Sequence, residues 1–266
     1  MPIIALFDFN DLTTSALDSA PLDGTQTGIY LDGATSVDGR ALLDGINDKV
    51  KIYADNAYQL DRGTLEIQFA QTAHTGCDAN TLLSRDSIGE TAGGFHIDVM
   101  PDGSINVVHE GAGTTETYTT GAGFAALGDE INLTYSWDVA SGGALVVHNL
   151  TAGTTYDAPV PAGLTMDMGP INQPWIIGAG QSLSKPAILN DINQYFHGSV
   201  ELFSISNSVD NLDQDPNPQP DIAVTDEDTP VVIDVLGNDT DPQGQPVSVS
   251  GTPTAPHGTV TVNPDG

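Results

Sequence analysis

"INLTYSWDV", residues 131–139, alternates apolar and polar side chains from end to end. The apolar positions are Ile131, Leu133, Tyr135, Trp137 and Val139. A period of two places such residues on one face of a β-strand, where they can pack against a core. We therefore predict a strand here, with Trp137 among the core residues.

The same period recurs elsewhere in the chain. Residues 94–110, "GFHIDVMPDGSINVVHE", are typical of a hairpin with "PDG" as its turn. Glycine-rich turns such as "LDG", "SGG" and "GAG" follow one another at short intervals, and no segment has the period of an amphipathic helix. Many short strands separated by such turns predict an all-β sandwich or barrel.

A further alternating stretch, "SVELFSISN", begins at residue 199. Its pattern predicts a strand. The two faces of that strand would carry Val200 and Leu202, with Ser204 as a further candidate, on one side, and Glu201, Phe203 and Ile205 on the other.

The charge balance excludes two classes of partner. Among 266 residues there are 6 basic and 36 acidic ones, which gives a net charge of −30. Nucleic acids and anionic membrane surfaces attract basic patches, so neither is expected to bind this chain. No run approaches the roughly 20 apolar residues of a membrane span, so membrane insertion is not expected.

The acidic residues are unevenly divided, with 29 Asp and 7 Glu. Asp favours turns and oxygen-rich metal loops rather than helices. Two explanations stay open at this point. The surface is adapted to salt, or the carboxylates bind divalent cations, chiefly calcium, which prefers carboxylate and carbonyl oxygens.

Cys77 is the single cysteine, so no intrachain disulfide can form. The N-terminal "MPIIALFDFND" lacks the basic region and the long apolar run of a signal peptide. The last residues, "TVTVNPDG", stop on a turn where a partner strand should follow. Either the protein is cytoplasmic, or its export signal lies elsewhere, or this chain is part of a longer one, and the C-terminal turn favours the last.

A boundary between domains is marked by "NSVDNLDQDPNPQPD", residues 207–221, which combines three prolines with several aspartates. Such a composition is typical of an extended acidic linker. The predicted organisation is a larger domain over residues 1–208, a linker over 209–220 and a second, incomplete domain over 221–266.

Several motifs of the larger domain resemble one known family. Residues 41–52, "ALLDGINDKVKI", and residues 196–201, "FHGSVE", are similar to the laminin G-like, concanavalin A-like jelly rolls of bacterial surface and secreted proteins. The resemblance implies an antiparallel jelly-roll β-sandwich. One departure is Glu201, which stands where the family usually has Asp.

In that family a structural calcium often joins the first strand to the last. The matching positions here are Asp8 and Glu201, with Asn10 and Asp11 as nearby alternatives. The resemblance therefore implies a calcium site at these residues. The alternative is that Asp8 and Glu201 are ordinary solvent-facing strand residues.

The stretch "TDEDTPVVIDVLGNDTDPQGQPVSVSGTPTAPHGTVTVNPDG", residues 225–266, resembles the opening of the cadherin-like tandem repeats of bacterial adhesins. It implies a partial Ig- or cadherin-like β-sandwich, with calcium held by Asp226, Asp228, Asp239 and Asp241. The alternative is a β-turn at "DPQG" surrounded by solvated carboxylates.

Catalytic motifs are missing from this sequence. A glycosidase needs two carboxylates on one strand face, and the Glu residues of 1–208 are scattered singly. His96 and Asp98 share a strand face, which we interpret as a polar outer face, and a zinc site would want further ligands nearby. No serine elbow or phosphate-binding loop is found either. The chain is predicted not to be an enzyme.

Sugar binding is the chemistry that the sequence favours. Lectin sites combine exposed aromatics with polar groups for the sugar hydroxyls. We predict the ligand site at Trp175, Asn193 and Tyr195. The alternative is that the two aromatic residues pack at an edge of the sandwich and bind nothing. Further polar residues surround these in the sequence, namely Asn172, Gln173, Asn190, Asp191 and Gln194.

The resulting hypothesis is a non-catalytic binding or adhesion module of a large secreted or cell-surface bacterial protein. Its partners would be a glycan or another cell-surface component, together with neighbouring domains of a longer chain, and calcium would stabilise it. Export by type I secretion fits the resemblance. Two alternatives stay open: a spacer without a ligand, and an accessory domain of an enzyme whose catalytic part lies outside this sequence.

Overall fold

The computed structural model of this protein describes twelve parts of the chain, namely residues 3–10, 15–17, 27–76, 79–85, 92–170, 172–181, 192–209, 220–226, 229–238, 249, 255 and 259–263. For residues 15–17, 181 and 192–193 it describes the backbone alone. The chain divides into two compact units, residues 1–211 and 212–266. The domain limits drawn from the sequence, at 208 and 221, stay predictions.

The first unit contains all of the described strands and one short 3-10 helix, Asn56–Tyr58. In chain order the strands are β1 (Ile3–Phe7), β2 (Ser15–Leu17), β3 (Thr27–Leu31), β4 (Thr35–Val37), β5 (Arg40–Asp44), β6 (Lys49–Ile52), β7 (Arg62–Ala73), β8 (Asn80–Arg85), β9 (Gly94–Val99), β10 (Ile105–Gly111), β11 (Thr114–Thr119), β12 (Glu130–Asp138), β13 (Gly143–Asn149), β14 (Thr154–Val160), β15 (Trp175–Ile177), β16 (Gly180–Gln181), β17 (Ile192–Asn193) and β18 (His197–Ser206).

These strands form two large antiparallel sheets and one small hairpin. The first sheet has the order β14-β13-β12-β7-β18-β5-β4, and β1 also pairs with β18. The second sheet has the order β11-β10-β9-β8-β15-β6-β3-β2, and β16 pairs with β17 in the hairpin. Apolar side chains from both large sheets meet in one continuous core between them. The predicted antiparallel β-sandwich is confirmed.

Strand β12 lies in the middle of the first sheet, between β13 and β7. Leu133, Tyr135 and Trp137 have no exposed surface, as the period of two predicts. Val139 is 39% exposed, so its predicted place on the buried face is wrong. The strand ends at Asp138, whose carboxylate accepts a hydrogen bond from the Ala140 amide (2.7 Å) as the chain turns away.

Strand β18 contains a β-bulge that the sequence did not reveal. Val200 pairs with Phe69 of β7 and Leu202 pairs with Gln68, so Glu201 is an extra residue on β18. The bulge reverses the alternation beyond it. The predicted faces are therefore wrong, because Val200 and Phe203 are both in the core while Leu202 is half-buried.

In the second unit, no strand is found among the described residues 220–226 and 229–238. The Thr229 amide donates to the Asp226 carbonyl (3.2 Å), and Thr225 Oγ1 donates to the Thr229 carbonyl (2.8 Å). These two bonds form a local turn, in which Asp226 is exposed.

Candidate functional site

Trp175 does not lie at a surface. It has 1% of its surface exposed, and its ring centroid lies 6.1 Å from that of Phe95 and 5.7 Å from that of Phe203. The reason is topological, because β15 is an interior strand of the second sheet and its first and third residues face the core. The prediction that Trp175 binds a sugar is therefore wrong.

Tyr195 lies on the second sheet, beside β8. The backbone turns at Gln194, which has a positive φ of 62°, directly after the β16–β17 hairpin. The Thr81 amide then donates to the Gln194 carbonyl (2.7 Å), and Tyr195 forms a parallel bridge with Thr81. Tyr195 is half-buried. Its neighbour Asn193 lies in β17 with only its backbone described, and Asn190 and Asp191 lie outside the described residues.

The bridge at Thr81 places Tyr195 two strand spacings, about 10 Å, from Asp98 of β9. His96 and Asp98 alternate with the fully buried Phe95 and Ile97, so they face outward from the second sheet. Thr81 Oγ1 donates to Asp98 Oδ1 (2.6 Å), and His96 Nε2 lies 3.5 Å from Asp98 Oδ2. Segments that are distant in the sequence thus meet on one outer face.

Asp98 is one member of a line of polar residues that crosses four strands. Asp98 pairs with Thr81 of β8 on one side and with Asn106 of β10 on the other. Asn106 in turn pairs with Thr119 of β11. Paired residues point to the same face, about 5 Å apart. We call Thr81, Asp98, Asn106 and Thr119 the polar row.

A tight turn fixes the pairing of Asp98 with Asn106. Gly103 has a φ of 78°, which glycine adopts without strain, and the Asp102 carboxylate accepts from the Ser104 hydroxyl (2.7 Å) and amide (2.9 Å). These two bonds hold the pKa of Asp102 below its usual value, and the bond from the Ser104 hydroxyl has the larger effect. The predicted "PDG" hairpin is confirmed, and its register places two members of the polar row side by side.

The polar row mixes the hydrogen-bonding groups that a sugar requires. Thr119 is exposed, Asn106 is half-buried, and the Asp98 side chain keeps 16% of its surface accessible. Asn106 Oδ1 is a buried acceptor that has no partner among the described residues. Thr81 is 2% exposed, so the groups that the row presents are the Thr119 hydroxyl, the Asn106 amide and the Asp98 carboxylate.

The outer face of the first sheet carries a separate cluster around Arg40. Its guanidinium bonds to Glu130 (Nη1 to Oε1, 2.6 Å) and to Glu201 (Nη2 to Oε2, 3.0 Å). Gln68 Nε2 donates to the same Glu201 oxygen (2.9 Å). The pKa of Arg40 is raised above its usual value, chiefly by the hydrogen bond with Glu130.

This cluster bears on the predicted calcium site at Asp8 and Glu201. A calcium ion there would compete with Arg40 for the Glu201 carboxylate. Asp8 follows β1, and its Oδ1 accepts from the Asn10 amide (3.3 Å). Within the described parts of the chain, no three His, Cys, Asp or Glu residues are grouped to hold a metal ion. The predicted ligands Asp11, Asp228, Asp239 and Asp241 lie outside those parts, so the calcium sites stay predictions.

The sequence could have revealed part of the polar row. Counting outward from the "PDG" turn of the hairpin pairs Asp98 with Asn106. No sequence pattern predicted that Thr81 belongs to the polar row. Its pairing with Asp98 depends on the position of β8 and on a register shift between Thr81 and Leu83.

Comparison with known families and curated proteins gives one match. Residues 213–266 match the family model of the bacterial Ig domain. None of the curated proteins matches this chain. The match supports an Ig-like module at the C-terminal end, and the narrower cadherin-like assignment stays a prediction. No helix in the described residues has the length and apolar character to cross a membrane.

Solved structures match the chain at low sequence identity. The binding domain of botulinum neurotoxin DC in complex with SialylT has a TM-score of 0.53 and 10% identity, covering 78% of this chain and 48% of that one. A structure of botulinum neurotoxin type C, whose cell entry depends upon interaction with two ganglioside molecules, has a TM-score of 0.51 and 9% identity with the same coverage, 78% and 48%. Trypanosoma rangeli sialidase in complex with sialic acid has a TM-score of 0.52 and 13% identity, covering 79% and 31%.

The chain spans about half the length of the neurotoxin domains that it matches, 48% of each. At these identities the similarity concerns the fold. The first unit thus has a β-sandwich fold shared with these proteins, and residues 213–266 match the bacterial Ig domain family.

Proposed function

We propose that this chain is a non-catalytic glycan-binding module of a secreted or cell-surface bacterial protein, and that the polar row is its binding surface. The observation that carries the proposal is the alignment of Thr81, Asp98, Asn106 and Thr119 across four strands, beside Tyr195. The ligands named for the structural neighbours, SialylT, gangliosides and sialic acid, support a glycan as the ligand class. The bacterial Ig match supports a secreted or surface location.

The chemistry of the polar row suits sugar hydroxyls, which both donate and accept hydrogen bonds. The Asp98 carboxylate accepts from hydroxyls, and the Asn106 amide nitrogen can donate, whereas Asn106 Oδ1 is buried. Asp98 is already oriented by the Thr81 hydroxyl (2.6 Å), so little conformational freedom is lost when a ligand binds. Tyr195 is half-buried and bridges Thr81, and its aromatic ring is of the kind that lines ligand sites.

The proposed function is non-catalytic because Asp98 is the single carboxylate of the polar row. Retaining and inverting glycosidases each use two carboxyl groups that flank the bond they cleave. We expect this chain to leave its ligand intact over a long incubation, as measured by chromatography of the recovered glycan. Release of a shorter sugar would contradict the non-catalytic assignment.

Removing the carboxylate of the polar row is expected to weaken glycan binding. Hydrogen bonds to charged groups contribute about 1.5–3 kcal/mol, so Asp98→Ala should lower affinity roughly 10- to 150-fold. The measurement is a glycan array on residues 1–266, followed by calorimetric titration of the best array ligand into the wild type and the variant.

His148→Ala is the matched control, because His148 lies on the outer face of the other sheet, where its Nδ1 is 2.9 Å from Thr155 Oγ1. It should bind like the wild type. Equal loss in both variants would point to a site elsewhere, and an array without any bound glycan would favour a spacer role.

Calcium is a further part of the proposal, motivated by the acidic residues of both units. At 100 times its Kd, calcium stabilises a folded protein by about 2.7 kcal/mol, which amounts to a rise of several degrees in Tm. Thermal melts in EDTA, calcium and magnesium should therefore show a rise specific to calcium. Glu201→Gln tests the site in the first unit, and Asp226→Asn tests the site in the second. An equal rise with magnesium would mean charge screening and would overturn the calcium proposal.

A further inference from the structure

The positively charged side chains of the described residues all have partners within the protein. Each described Lys or Arg has a partner of its own: Arg40 with Glu130 and Glu201, Lys49 with Asp32, Arg62 Nε 3.9 Å from Asp138, Arg85 with buried oxygen atoms, and Lys51 with its Nζ 5.7 Å from the Tyr53 ring centroid. The sixth basic residue, Lys185, lies outside the described residues. Arg85 is fully buried.

Lys51 shares the outer face of the second sheet with the polar row, but at a distance. It pairs with Ile176, which pairs with Ser84, which pairs with His96. Three strand spacings of about 4.8 Å separate Lys51 from His96, which is roughly 14 Å. A ligand carboxylate bound at the polar row would therefore be too far from Lys51 to form a salt bridge with it.

The charge at the polar row is negative. Asp98 lies in the row, and Glu110 lies further along β10 on the same outer face, opposite Gly94. His96, beside Asp98, is a cation only when protonated. The chain as a whole carries −30. Like charges at an interface act against binding, and they select against the wrong partner.

We infer that the polar row takes a neutral glycan, and that a sialic acid, uronic acid or sulfate next to the bound sugar weakens binding. This inference rests on the proposed function. The predicted ligand differs from those named for the structural neighbours, since SialylT and sialic acid carry a carboxylate. Asp98 accepts hydroxyl hydrogens from a neutral sugar and repels an anionic one.

The experiment uses residues 1–266 on an array of matched glycan pairs. Each neutral glycan is printed beside its sialylated, sulfated or uronate-bearing form, and affinities are measured at 50 mM and 500 mM NaCl. We expect the neutral form of the bound pair to bind at least about tenfold more tightly at low salt, because salt screens interactions between exposed charges. At high salt the ratio should fall.

Asp98→Asn separates charge from shape, since it keeps the size of the side chain and removes its charge. We expect this variant to lose most of the discrimination against the anionic form, while His148→Ala keeps it. Tighter binding of the anionic form by the wild type would overturn the inference and leave the proposed function standing. Binding of neither form of any pair would overturn both.

Discussion

Replacing Arg85 with methionine is expected to cost the first unit several kcal/mol of its free energy of unfolding, because each buried acceptor left without a donor costs about 1–3 kcal/mol. The Arg85 side chain has no exposed surface. Its Nη1 donates to the Met166 carbonyl (2.6 Å), and its Nη2 donates to Gln59 Oε1 (2.8 Å) and Asn172 Oδ1 (2.9 Å). Its Nε donates to the Gln173 carbonyl (3.3 Å). Methionine would remove the donor from one buried acceptor, the Met166 carbonyl, and from three partly buried ones.

Arg85 also holds segments together that are distant in sequence. Gln59 follows the 3-10 helix, while Met166 and Asn172 belong to the long connection between β14 and β15. The guanidinium lies 5.3 Å from the centroid of the Trp175 ring, which adds a cation–π contact. Arg85→Lys should recover part of the loss, because lysine keeps the charge but lacks the planar fork of donors.

Guanidinium chloride unfolding of residues 1–266 measures these costs. Arg62→Met is the matched control, since the Arg62 side chain is 61% exposed and its Nε lies 3.9 Å from Asp138. Surface changes of this kind are usually within about 0.5 kcal/mol. A loss below about 1 kcal/mol in Arg85→Met, or equal losses in both variants, would show that the Arg85 network does not stabilise the fold as described.

The fold class could be predicted from the sequence because it depends on local periodicity. The alternation in β12 and the "PDG" hairpin are visible in single stretches, and both are confirmed. The β18 bulge was not predictable, since the extra residue at Glu201 is defined only by the pairing partner on β7. A single inserted residue reverses which side chains are buried, and alternation alone does not reveal it.

The candidate site was predictable in fragments. Tyr195 and the His96–Asp98 face each stood out in the sequence, but only the bridge between Tyr195 and Thr81 brings them together. The prediction of a sugar site at Trp175 failed for a related reason. Aromatic residues near polar ones in the sequence resemble a lectin site, but the strand order places the Trp175 ring in the core. Site prediction requires the contacts between distant strands, which no local pattern contains.

Lowering the pH from 7 to 4 is expected to destabilise the first unit through His109, apart from any effect of its carboxylates. His109 is fully buried on β10, with Nδ1 2.8 Å from the Tyr135 hydroxyl and Nε2 3.0 Å from the Thr165 carbonyl. This arrangement suits a neutral ring whose Nε2–H donates to Thr165 and whose Nδ1 accepts from Tyr135. Burial lowers the pKa of His109 to about 4, against a weaker opposing effect of the bond to Thr165.

The direction of the effect follows from the two states of the chain. In the unfolded chain His109 takes up a proton below its ordinary pKa of 6.5, whereas in the folded protein it stays neutral down to about pH 4. Between these values the unfolded state binds more protons, so stability is present above pH 6.5 and is lost as the pH falls. At 1.36 kcal/mol per pKa unit, the loss approaches about 3 kcal/mol near pH 4.

The measurement compares urea unfolding of the wild type and of His109→Gln at pH 7 and at pH 4.5. Glutamine carries an amide in place of the ring and does not titrate in this range. The variant should be less stable than the wild type at pH 7, because it loses packing and the bond to Tyr135. Both proteins share the same carboxylates, so the wild type should lose about 2–3 kcal/mol more than the variant on acidification.

His148→Gln, which leaves His109 in place, should follow the wild type. Parallel losses in the wild type and His109→Gln would mean that His109 is protonated in the folded protein, and the neutral, doubly bonded ring described here would be wrong.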